Sequence, residues 1–66
     1  MSTQIGRIIR QRRVAKGLSQ RALAESVGVR APYITMLESG TRANPSLKLL
    51  RGLAKALGVP VTDLLR

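Results

Sequence analysis

Four apolar segments of this chain each run into a glycine, at Gly17, Gly28, Gly40 and Gly58. Glycine takes the left-handed backbone that a chain adopts on leaving a helix, so Gly28 and Gly40 read as helix ends. The stretch between Gly17 and Gly40, GLSQRALAESVGVRAPYITMLESG, is the most informative. Ser19 stands where its hydroxyl can accept from the free N–H groups of a helix start. Ala22, Leu23 and Val27, followed by Ile34 and Leu37, supply the apolar face of two short helices joined by a tight turn.

The same signals extend along the chain. Ile5, Ile8 and Ile9 at helical spacing predict a first helix over about 4–16, closed by Gly17. The second and third helices span about 19–27 and 31–39, and Asn44-Pro45 breaks the chain after them. Ser46 then caps a fourth helix over about 46–57, with Leu47, Leu50, Leu53, Ala54 and Leu57 as its stripe. Val59-Pro60-Val61 reads as an extended connector, and Thr62 as the cap of a fifth helix at 62–65. Asp63 near that start suits the helix dipole. The expectation is an all-α, five-helix domain covering 1–66 with short connections and no second domain.

Such a chain buries only about 60% of its unfolded surface, so it needs something to hold it. Cysteine and histidine are absent, which excludes disulfides and the usual zinc sites. Tyr33 is the sole aromatic residue, so the core is aliphatic and rests on helix packing, with dimerisation as a possible aid.

Twelve Lys and Arg face three Asp and Glu, a net charge of +9. The excess is uneven: residues 1–30 carry seven cations and one acid, net +6, and residues 31–66 five cations and two acids, net +3. This is the electrostatic footprint of a polyanion binder. With no histidine or cysteine and only scattered carboxylates, no acid–base pair or metal cluster is visible, so an enzyme is not expected. No cofactor, metal or small-molecule ligand is implied. No apolar run spans a bilayer or forms a signal-peptide core, which predicts a cytoplasmic protein. The first helix alone could pass for a cationic membrane-surface segment, but Trp and Phe are absent and the pattern continues as a globular domain. Two helices joined by a turn of about 3–4 residues form a helix-turn-helix unit, whose second helix enters the DNA major groove.

The order of helix, GLSQ, LAESVGV, Ile34 to LESG, NPS, LAKALGV and terminal D-L-L resembles the lambda-repressor-like helix-turn-helix family. This is the family of Cro and repressor DNA-binding domains, also called XRE-type, and the likeness covers Ile5 to Leu65. The resemblance implies a sequence-specific regulator of double-stranded DNA, similar to phage Cro-like repressors or restriction–modification controllers. The alternative within the family is an antitoxin that also binds a toxin. A protein-interaction module that no longer reads DNA is disfavoured by the charge.

The resemblance also assigns roles. Gln20 matches a position that touches a DNA phosphate at a helix N-terminus, with Ser19 and Arg21 beside it. Ser39, Thr41 and Arg42 match a second set of phosphate contacts, and Arg13 and Glu38 match a structural ion pair. Bases are to be read by the third helix, through Arg30, Ala31, Pro32, Tyr33, Thr35 and Met36. Here the chain departs from its relatives, which open this helix with Ser or Thr and follow with Gln, Ser or Asn. Pro32 suits a first helical turn, but no strong cap and no amide reader of adenine is present. A single such helix reads few base pairs, so a homodimer on a palindromic operator is expected. With the chain ending at Arg66, its interface candidates are Val59, Val61, Leu64 and Leu65.

Overall fold

The computed structural model describes residues 4–42 and 44–65. Ala43, within the expected loop, and Arg66 lie outside the described residues. Four α-helices follow one another: α1 (Gln4–Ala15), α2 (Gln20–Val27), α3 (Ala31–Ser39) and α4 (Leu47–Leu57). No strand occurs among the described residues.

Local chemistry sets most of the helix ends. Ser19 Oγ accepts from the Ala22 N–H at 2.9 Å, and Ser46 Oγ from the Leu49 N–H at 3.2 Å. Each such cap is worth about 1 kcal/mol. Gly28 and Gly58 close α2 and α4 with φ of 76° and 70°, and each time the following valine N–H reaches back to Ala24 or Ala54.

The expected fifth helix is instead a single 3-10 turn, Val61–Leu64. Its bonds run from Asp63 N to Pro60 O and from Leu65 N to Thr62 O, each spanning three residues rather than four. A segment this short closes too few bonds to repay helix nucleation. Thr62 is not its cap. Pro60 holds that position, and no side chain caps the turn.

The core draws on every element: Ile9 from α1, Leu23 and Ala24 from α2, Ile34 and Leu37 from α3, Leu50, Leu53, Ala54 and Leu57 from α4, and Leu64 from the turn. Burying each large aliphatic side chain contributes about 1.5–3 kcal/mol. Helix α3 packs on α2 and α1, while α4 packs on α2 and the 3-10 turn.

One glycine carries a tertiary duty. A Cβ on Gly6 would run into the Leu37 carbonyl oxygen and lie 3.1 Å from the Glu38 oxygen. Gly6 therefore lets α1 lie directly against the end of α3, which offsets the cost of about 0.5–1 kcal/mol for glycine inside a helix.

Candidate nucleic-acid interface

Helix α3 turns Ile34, Leu37 and Glu38 inward. Pro32, Thr35 and Ser39 are exposed on the opposite side, and Met36 is half-buried beside them. Spacings of three and four residues place this set along one stripe. Ala31 and Tyr33 are half-buried and spend part of their surface on the core. Arg30 is exposed in extended backbone just before the helix and makes no side-chain cap bond, as its side-chain type dictates.

What holds α3 lies largely outside it. Glu38, only 7% exposed, receives Arg13 Nε at 2.6 Å and Nη2 at 3.0 Å in a two-pronged pair. Arg13 also donates to the Leu18 carbonyl at 2.8 Å, tying the α1–α2 connection to the same point. The hydrogen bonds it donates to Glu38 hold Arg13 above its ordinary pKa, against the opposing pull of burial.

Gln20 joins this cluster. Its Nε2 donates to Glu38 Oε1 at 3.1 Å, and its Oε1 accepts from Thr35 Oγ1 at 2.7 Å. The half-buried amide thus links the start of α2 to the middle and end of α3. Arg21, beside it, is exposed and pairs with Glu25 at 3.2 Å across one helical turn.

Beyond α3, Ser39 Oγ donates to the Met36 carbonyl at 3.2 Å and lies 3.0 Å from Thr41 Oγ1. The Arg42 N–H reaches Met36 O at 3.0 Å, which folds the loop back on the helix. The Arg42 side chain is exposed and forms no ion pair with a described residue. Ser19, Gln20 and Arg21 therefore precede the stripe in the chain, and Thr41 and Arg42 follow it directly after Ser39, its last member. Sequence reasoning missed a groove between α1 and the end of α3, lined by Arg7, Arg10, Gln11, Val14, Glu38 and Ser39. The arginines stood out only as part of the charge count; their spacing on one face of α1 was the available signal.

The dimer candidates divide. Leu64 is 1% exposed and closes the core, so it has no surface to offer a partner. Val59 and Val61 are half-buried against the same core, and Leu65 is 56% exposed. No described helix is long and apolar enough to cross a membrane.

Comparison with known proteins places this arrangement. The regulator SlrR of Bacillus subtilis is 42% identical over 60 residues, 91% of this chain and 40% of its own length. SinR of the same organism is 39% identical over 61 residues, 92% of this chain and 55% of its own. The chain thus spans about half the length of these relatives or less. Among solved structures, SinR in complex with DNA superposes with a TM-score of 0.90 at 38% identity, covering 96% of this chain and all of that one. The restriction–modification controller C.AhdI of Aeromonas hydrophila gives 0.84 at 40% identity, covering 91% and 89%. The helix-turn-helix family profile matches residues 9–64, which is most of the chain, and the chain belongs to that family.

Proposed function

We propose that this chain is a sequence-specific, double-stranded-DNA-binding transcriptional regulator that works as a homodimer in the cytoplasm and lays α3 in the major groove. The observation that carries this reading is the exposed stripe of α3, anchored from behind by the Arg13–Glu38 pair in a domain of net charge +9. The stripe stands between two sets of polar and basic groups suited to phosphates, at the start of α2 and after α3. The relatives support it: one is described as a master regulator for biofilm formation bound to DNA, another as a restriction–modification controller. In the proposed complex Arg30, Pro32, Thr35 and Met36 face bases, with Ala31 and Tyr33 at the edges of the stripe. Ser19, Arg21, Ser39, Thr41 and Arg42 face the backbone. Gln20 keeps one amide hydrogen for a phosphate while its other contacts brace α3. Two copies, meeting through Leu65 with Val59 and Val61 beside it, read half-sites about 34–36 Å apart.

Affinity measured against salt tests this. Log affinity is expected to fall with log salt at about −0.9 per neutralised phosphate. Arg42→Ala should weaken binding to all duplexes alike and flatten the slope by about one unit. Duplex binding that is indifferent to salt overturns the reading.

A further inference from the structure

The direction of the hydrogen bonds around Thr35 is fixed by groups that begin in the core. Glu38 is paired with Arg13, so its ionised carboxylate only accepts. Gln20 lies 3.1 Å from that carboxylate and must present its nitrogen to it. Its amide oxygen then faces α3, 2.7 Å from Thr35 Oγ1. An amide oxygen only accepts, so the threonine donates. The second contact of this hydroxyl is the Ala31 carbonyl at 3.3 Å, again an acceptor. Both contacts therefore claim the single hydroxyl hydrogen. Thr35, exposed on the stripe, has only its methyl group and oxygen lone pairs left to offer outward.

We infer that Thr35 reads its base pair as an acceptor only, selecting adenine or cytosine over guanine or thymine on one strand. In the major groove the adenine N6 and cytosine N4 amino groups donate, whereas guanine O6 and thymine O4 accept. Set against O6 or O4, the Thr35 oxygen would face another acceptor with no hydrogen between them, and both would lose their water without compensation. Gln20 is a positioning residue in this scheme, acting through Thr35. The inference rests on the proposed function and adds a specificity rule to it.

Selection from a randomised duplex library, read by sequencing, tests it with the full chain. The wild type is expected to favour amino over keto bases at one position of the half-site by about five- to tenfold. Thr35→Val keeps the shape and the methyl group and should erase that preference while leaving other positions intact. Thr35→Ser keeps the hydroxyl and should retain it. Gln20→Met removes the nearer claim on the hydrogen, so keto bases should gain at that position alone. Thermal unfolding shows whether each variant folds; Thr35→Val, an exposed change, decides the matter if Gln20→Met does not. A keto preference that Thr35→Val abolishes, or a Thr35→Val site identical to the wild type's, overturns the inference alone. A wild-type chain that enriches no duplex sequence overturns the proposed function beneath it.

Discussion

Helices α4 and α3 end alike, on left-handed glycines at Gly58 and Gly40, but they begin and pack differently. Helix α4 opens on a serine that caps it and buries four apolar side chains, while Lys48, Arg51 and Lys55 face solvent. Helix α3 opens on Arg30 without a cap, and one of its three inward residues is the charged Glu38. The scaffold helix is specified by its own sequence. Helix α3 is specified in large part by its neighbours, through Arg13 on α1 and Gln20 on α2. A helix held from behind can present a face whose residues do little to stabilise it.

The largest effect should come from cutting the outside support. Glu38→Gln leaves the mostly buried Arg13 without its countercharge and is expected to cost about 3–5 kcal/mol. Replacing Arg13 and Glu38 together by methionine should return much of that, because no uncompensated charge remains. Thermal unfolding checks both, at about 4–8 °C per kcal/mol for a domain of this size. A loss below about 1 kcal/mol for the single change would mean that α3 stands without the pair.

In α4 the matching break is Leu53→Ala, in a fully buried position. It is expected to cost about 2–5 kcal/mol by transfer and cavity terms. Because α4 is set by its own apolar stripe, no second-site polar change should rescue it. Urea titration of the single and double variants would expose any such rescue, and finding one would erase the contrast between the helices.

The smallest effect sharpens the comparison at the helix starts. Ser46→Ala should cost about 1 kcal/mol by removing the cap of α4. Arg30→Ser supplies a cap that α3 lacks and should gain up to a similar amount. Equal and opposite shifts in unfolding midpoint are the expected pattern, and destabilisation by Arg30→Ser would show that the start of α3 needs the arginine.

These contrasts also explain what could be read in advance. Helix ends were legible because a serine cap or a terminal glycine acts within a few residues, and Ser19, Gly28, Ser46 and Gly58 sit where that chemistry puts them. The final segment was misjudged because Thr62, Asp63 and Leu64 look like a helix start but have no turns to follow. Leu64 was misplaced because an apolar residue in one isolated turn carries no periodicity to tell inside from outside. The bracing role of Gln20 was hidden for another reason: its partners Thr35 and Glu38 lie 15 and 18 residues away. Only the folded chain brings them within reach.

The close approach at Gly6 has a consequence for how such a domain can diversify. Pro32 is exposed on α3 and takes no part in that contact, so the surface chemistry of the helix is open to variation. Its distance from α1 is not. Even a single methyl group at Gly6 would run into the Leu37 carbonyl, so no larger side chain can take its place without moving the helix. The outer face of α3 can be rewritten one residue at a time, but its seating against α1 depends on a side chain that is not there.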